Sequence, residues 1–209
     1  MSDQAKNILE WIVCFIIALV ITLVVRYFLI TPTVVKQVSM YPTLKENQRL
    51  IVKRTFRITG STPKIGDIVT FEAPSAIYNE VTANQNNPVA IYKNEKKSIF
   101  SSFMYNVLEL TKKSFIKRVI ALEGDHVEIK DGKVFVNGKE KKEEYLQPDV
   151  VTESKVFTDF IVPKGYMFCM GDNRGRSSDC REFGCIPLDK LEGIVVLRFW
   201  PFNVFGKVN

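Results

Sequence analysis

Histidine is almost missing from this chain: His126 is the only one in 209 residues. That count removes the support for most histidine-based hydrolytic sites. A Ser-His-Asp or Cys-His arrangement would rest on His126 alone. It sits between Asp125 and Val127, where a turn enters a strand, the setting of a solvent-facing side chain. Cysteine is sparse too, with Cys14, Cys169, Cys180 and Cys185. Three thiols in the C-terminal third with no nearby histidine make a poor zinc set. A Cys180–Cys185 disulfide is open to the chain on an oxidising face, but nothing requires it. Zinc-finger spacing, an aromatic RNA-binding signature and internal repeats are also absent from the sequence.

What is present begins with a hydrophobic segment. It runs from Ile8 to Ile30, with an uncharged core from Trp11 to Val25. Its length reaches the roughly 20 residues that a bilayer requires. Arg26 is placed to snorkel, and Trp11 and Tyr27 suit the two interfaces. A cleavable signal peptide would need small residues at its cut site, and Arg26–Pro32 offers none. The segment therefore reads as a retained anchor. The formal charge of +6 fits a nucleic acid or an anionic membrane surface. With an anchor in the chain, the membrane is the partner to expect, and nucleic acid is not. Charge alone does not orient the anchor: Lys6 precedes it, and Arg26 and Lys36 follow.

Beyond the anchor the pattern is that of short strands. Residues 33–38, 49–53, 66–72, 115–122, 157–162, 166–170 and 193–201 carry strand signals. Residues 127–138 read as a β-hairpin turning on Asp131-Gly132. Residues 74–112 look like an insertion, with a loop at Asn84–Pro88. Within it, 101–113 is a candidate amphipathic helix with Phe103, Met104, Val107, Leu108 and Leu110 apolar. The charged stretch Lys139–Glu144 reads as a solvated loop or a hairpin end. The fold class expected is mainly antiparallel β, preceded by one transmembrane helix.

Ser39 follows the anchor in Ser39-Met40-Tyr41-Pro42-Thr43-Leu44. A serine hydroxyl is a weak nucleophile until a base removes its proton. Without histidine the base has to be a lysine that stays neutral, which burial among apolar groups favours. Lys117 meets that condition, with Phe115 and Ile116 before it and Val119, Ile120 and Leu122 after. Most strand lysines simply point at water, so the pattern alone leaves both readings open. A third cluster, Gly171–Arg181, is dense in charges and hydroxyls. It reads either as a surface turn of local ion pairs or as a fixed network beside a site.

Three motifs in order carry a resemblance: Ser-Met-x-Pro-Thr-Leu after an anchor, Lys-Arg-Val-Ile with Gly-Asp following, and Gly-Asp-Asn-Arg before Ser-x-Asp-x-Arg. Together they resemble bacterial type I signal peptidases, membrane-bound Ser-Lys endopeptidases of the signal peptidase/LexA-like fold. The resemblance extends from the anchor to Arg198-Phe-Trp-Pro. It implies Ser39 as nucleophile and Lys117 as general base, with Ser177 orienting the lysine. It implies Asp172 with Arg118, and Asp179 with Arg181, as supporting charges. Met40 would line the cleft, and the Ser39 N–H would donate to the oxyanion. Gln37 stands where a small or hydroxyl residue is usual, so its amide is the candidate for the second donor. Val38, Glu123 and Cys180 also depart from the family's common residues.

The resemblance further implies an organisation and a function. Residues 1–7 would be cytoplasmic, 8–30 the anchor, and 31–209 an extracytoplasmic peptidase domain with a small Gram-positive-like cap over about 126–165. The activity would be removal of signal peptides from exported preproteins after Ala-x-Ala-type sequences. No metal or organic cofactor would be needed, and a monomer is expected. Two alternatives stay open: a Ser-Lys peptidase dedicated to one substrate, and an inactive anchored binding protein of the same fold.

Overall fold

In the computed structural model, residues Asp3–Phe28 form one helix, α1. The described residues are all except 1–2, 79–83, 94–97, 99–100, 103, 110–111 and 209. The stretch Lys6–Phe28 is long and apolar enough to cross a membrane, and its most apolar part is not buried by the rest of the described protein. Large apolar side chains such as Trp11, Phe15 and Ile21 stand fully outward, as a lipid-facing helix requires. The Thr22 hydroxyl donates to Ala18 O at 2.8 Å. That contact satisfies its polar group within the helix.

The rest of the chain is built on two antiparallel sheets among the described residues. The larger contains β1 (Ile30–Val34), β2 (Arg49–Lys53), β3 (Ile68–Glu72), β4 (Ser114–Leu122), β9 (Tyr166–Met170), β10 (Ile186–Pro187) and β11 (Leu191–Trp200). Their order is β1-β2-β11-β3-β4-β9-β10. The smaller contains β5 (His126–Lys130), β6 (Lys133–Val136), β7 (Lys139–Glu140) and β8 (Asp159–Ile161), in the order β7-β6-β5-β8. Short helices α2 (Phe56–Thr59) and α3 (Cys180–Phe183) fill connections. Asp131 and Gly132, at φ +52° and +75°, turn the β5–β6 hairpin. This is the left-handed geometry that an Asp-Gly pair supplies most readily.

Two apolar clusters hold these sheets. The larger includes Phe71, Val119, Ile120, Phe157, Phe168 and Phe183. The smaller comprises Val35, Met40, Leu44, Leu50, Val52, Ile68 and Val195. Met40 and Leu44 are essentially inaccessible, so apolar side chains on both sides fix the turn that bears Ser39. Truncating Leu44 to Ala would cost about 2–5 kcal/mol by leaving a cavity there.

Several sequence expectations shift in detail. The anchor helix starts at Asp3 rather than Ile8 and stops at Phe28. The strand expected over 33–38 lies at Ile30–Val34, because Val38–Met40 tightens into a 3-10 turn. The strand signal at 157–162 becomes β8 over Asp159–Ile161, with Phe157 a core residue outside it. Within 101–113, Met104–Leu108 forms a single π-helical turn. Phe103 and Leu110 lie outside the described residues. All four cysteines are free thiols.

Candidate active site

The nucleophile candidate is presented by local backbone geometry. Gln37 is extended at φ −137° and ψ 156°, Val38–Met40 make one 3-10 turn, and Tyr41 is extended again. Pro42 enforces that last conformation, and the Tyr41–Pro42 peptide is cis. The Gly171–Arg174 turn clasps the Ser39 backbone. Asn173 N donates to Ser39 O at 3.0 Å, and Asn173 Nδ2 donates to Val38 O at 3.1 Å. A Cβ at Gly171 would collide with Ser177 Oγ and Ser39 O. The turn approaches the serine this closely only because residue 171 has no side chain.

Lys117 comes to Ser39 on β4, where it pairs with Val69 of β3. Its side chain is buried, and Nζ lies 2.8 Å from Ser39 Oγ in a hydrogen bond. Burial pushes the Lys117 ammonium below its ordinary value, against an opposing pull from Asp179. A neutral amine at that distance can accept the serine proton.

Arg118, the next residue, projects from the opposite face of the strand. Its Nε and Nη2 donate to Asp172 at 2.9 and 2.8 Å, and Nη1 donates to Gly66 O at 2.9 Å. Its guanidinium stacks 3.9 Å from the Tyr145 ring centre. Thr43 Oγ1 donates to Asp172 at 2.5 Å. The motif that carries Ser39 is thereby tied to the motif that carries the supporting charges.

Asp179 and Arg181 are both fully buried and paired at 2.8 and 2.9 Å. Asp179 also accepts from Gly171 N at 3.0 Å. Burial alone would raise the Asp179 carboxyl, but the Arg181 bonds and charge and the Gly171 N–H outweigh it. The net displacement is downward. Arg181 Nη2 in turn donates to Arg174 O at 2.7 Å. Burial pushes the Cys180 thiol well up, as it does that of Cys185. Cys180 therefore sits as an inert packing group, accepting from Cys169 N at 3.2 Å.

The site assembles Ser39, Lys117, Arg118, Asp172, Asp179 and Arg181 as the sequence suggested. Ser177 is also brought in: it is buried against Gly171, its hydroxyl lies near enough to Asp179 to help hold that carboxyl down, and it makes no hydrogen bond to Lys117. Met40 lines the cleft beside Ser39 and packs in the smaller core. His126 is placed elsewhere, on the smaller sheet, 2.7 Å from Asp159.

Sequence reasoning missed two elements. Asn173 holds the backbone at Val38 and Ser39, and only its place in Gly-Asp-Asn-Arg hinted at that. Glu143, read as part of a solvated loop, pairs with the fully buried Arg174 at 2.5 and 2.8 Å. Thr152 also bonds to Arg174. The signal available was Arg174 itself, a charge that had to find a carboxylate once buried.

Two clefts meet at Ser39. The first, about 430 Å³, runs past Met40, Thr33, Phe115 and Ile116 to Arg26 at the end of α1. The second, about 340 Å³, runs from Gln37, Ser39 and Lys117 to Glu46, Arg176 and Ser178. A serine hydroxyl beside a buried lysine, in a groove on an antiparallel β scaffold that follows an apolar helix, is the arrangement that a hydrolase with a serine nucleophile and a lysine base would need.

Comparison with known proteins specifies the family. The model described as signal peptidase, peptidase S26, matches residues 8–200. Signal peptidase IB of Staphylococcus aureus (strain COL) is 34% identical over 215 residues, covering 96% of this chain and 93% of that protein. Thylakoidal processing peptidase 1, chloroplastic, of Arabidopsis thaliana is 31% identical over 187 residues, covering 88% of this chain and 46% of that one. A crystal structure of a signal peptidase I from Enterococcus faecalis V583 aligns with a TM-score of 0.40 at 23% identity, over 64% of this chain and 97% of that one. The chain belongs to the signal peptidase family of serine peptidases, peptidase S26.

Proposed function

We propose that this signal peptidase cuts signal peptides from exported preproteins with Ser39 as nucleophile and Lys117 as general base. The observation that carries the proposal is the buried 2.8 Å contact between Lys117 Nζ and Ser39 Oγ. Neutral Lys117 takes the hydroxyl proton as Ser39 Oγ attacks the scissile carbonyl. The Ser39 N–H and the Gln37 side-chain amide donate to the oxyanion of the tetrahedral intermediate. The lysine proton passes to the departing amine, leaving an acyl-enzyme. Lys117 then deprotonates a water, which releases the signal peptide's carboxylate and restores Ser39. Asp172 with Arg118, and Asp179 with Arg181, hold the surrounding turn and strand in place, with Ser177 packed beside the pair.

The substrate is an extended chain docked by strand addition in the cleft that ends at Arg26. Small residues before the cut, of Ala-x-Ala type, fit a narrow groove floored by Met40 and Ile116. The α1 helix crosses the membrane with residues 1–7 in the cytoplasm and 31–209 outside, and the enzyme works as a monomer against the lipid surface. Substrate and anchor then share one bilayer, which brings the cut site to Ser39.

The test is cleavage of one standard preprotein by the detergent-solubilised enzyme. Ser39→Ala and Lys117→Ala should each abolish it while the far-UV circular dichroism stays that of the wild type. Near-normal turnover by Lys117→Ala would remove lysine from the mechanism. Replacing Gln37 with Ala should lower kcat by about 10²–10³-fold, the usual effect of losing one oxyanion donor. An unchanged kcat would assign that donor elsewhere.

A further inference from the structure

The two clefts at Ser39 differ in where they lead, and that fixes the direction of the substrate. The first ends at Arg26, in the last turn of the membrane helix. A signal peptide's apolar part shares the bilayer with α1, so the chain upstream of the cut lies in this first cleft. The chain downstream of the cut must leave through the second, on the other side of Ser39 and Lys117.

That second cleft is charged in a particular way. Glu46 comes from the segment just after the nucleophile motif, and Arg176 from the turn just before Ser177. Both are exposed, and neither enters an ion pair or a side-chain hydrogen bond among the described residues. The neighbouring charges behave differently: Arg174 is buried and paired with Glu143, and Arg181 is buried and paired with Asp179. Ser178, the other polar residue at this end, already donates to Glu182 at 2.5 Å. The wall of the exit cleft thus carries one carboxylate and one guanidinium, both available to a passing peptide.

We propose that this second cleft is the mature-side subsite and that Glu46 and Arg176 read the charge of the residues that follow the cut. An acidic side chain there meets the Arg176 guanidinium, whose fork suits a carboxylate. A basic side chain meets Glu46. The selection acts on kcat/KM, because the contacts form while the mature segment is still attached to the signal peptide. The inference rests on the Ser39–Lys117 reading for the position of the cut.

The test uses the full-length enzyme in detergent with three preproteins. They share one signal peptide and carry Ala, Glu or Lys in the first mature positions. Exposed ion pairs of this kind change rates modestly, so a charged mature residue should raise kcat/KM about threefold over Ala in the wild type. In Arg176→Glu the Glu-to-Ala ratio should fall to parity or below, while the Lys-to-Ala ratio persists or rises. In Glu46→Lys the Lys preference should vanish and the Glu preference persist. The double exchange, Glu46→Arg with Arg176→Glu, tests the pair with its net charge kept. A wild type that cleaves all three substrates at one rate overturns the inference and leaves the Ser-Lys reading standing. Ratios that do not move in the variants overturn it too. A wild type that cleaves none of the three, or a Ser39→Ala enzyme that still cleaves, refutes the Ser-Lys reading instead.

Discussion

The two faces of β4 treat neighbouring cations in opposite ways. Lys117 and Arg118 are adjacent and equally buried. Arg118 meets a bidentate carboxylate, a backbone carbonyl and an aromatic ring. Lys117 meets a serine hydroxyl, and its ammonium is pushed down by burial. Burial by itself does not decide whether a cation stays charged; the partners placed around it do. One face of the strand therefore holds a charge in a network of partners, and on the other burial works against the charge. Arginine suits the first because its guanidinium stays protonated, and lysine suits the second because its amine can lose its proton.

The difference can be broken from either side. The largest effect should come from Lys117→Arg. It keeps a cation in the pocket but one that cannot act as a base, so cleavage should fall by about 10⁴-fold or more, as for loss of a central catalytic residue. Preprotein cleavage in single-turnover assays reads this directly, and a modest loss would mean that the residue at 117 need not be neutral.

Next is Asp172→Ala, which leaves Arg118 buried without its carboxylate. It should destabilise the domain by about 3–5 kcal/mol, measured by chemical denaturation. A loss under about 1 kcal/mol would place that pair with surface salt bridges.

The smallest effect, and the most discriminating, is that of Lys117→Met on stability. Between the lowered folded value and the ordinary 10.5, the unfolded chain holds a proton on Lys117 that the folded chain does not. Stability therefore rises with pH across that window. The methionine variant removes the penalty. Its Tm at neutral pH should equal or exceed that of the wild type, with the advantage shrinking as pH approaches 10.5. A Tm well below the wild type at neutral pH would mean that the amine contributes as a cation.

Much of this was legible in the sequence where local pattern and tertiary need agree. The apolar run around Lys117, the Asp131-Gly132 turn and the uncharged anchor each appear in the structure with shifts of a few residues at their ends. Other features depend on contacts that no local window contains. Glu143 lies in a stretch that looks solvated, yet it is drawn in by Arg174, 31 residues away. Asn173 reaches Val38 across 135 residues. The 33–38 segment alternates like a strand, but the chain must tighten after Gln37 to turn Ser39 toward Lys117, and Pro42 sets that exit. Ser177 shows the reverse case: the motif brings it close to the site, while its hydroxyl makes no hydrogen bond to Lys117.

The central claim is that Lys117 is neutral in the folded enzyme at the pH of activity. The most direct measurement is an NMR titration of isotope-labelled Lys117 in the detergent-solubilised protein, assigned with Lys117→Met and run beside the pH dependence of kcat/KM. A Lys117 midpoint below 10.5 that coincides with the rising limb of kcat/KM is expected. A midpoint at the ordinary lysine value, with full activity well below it, would contradict that claim.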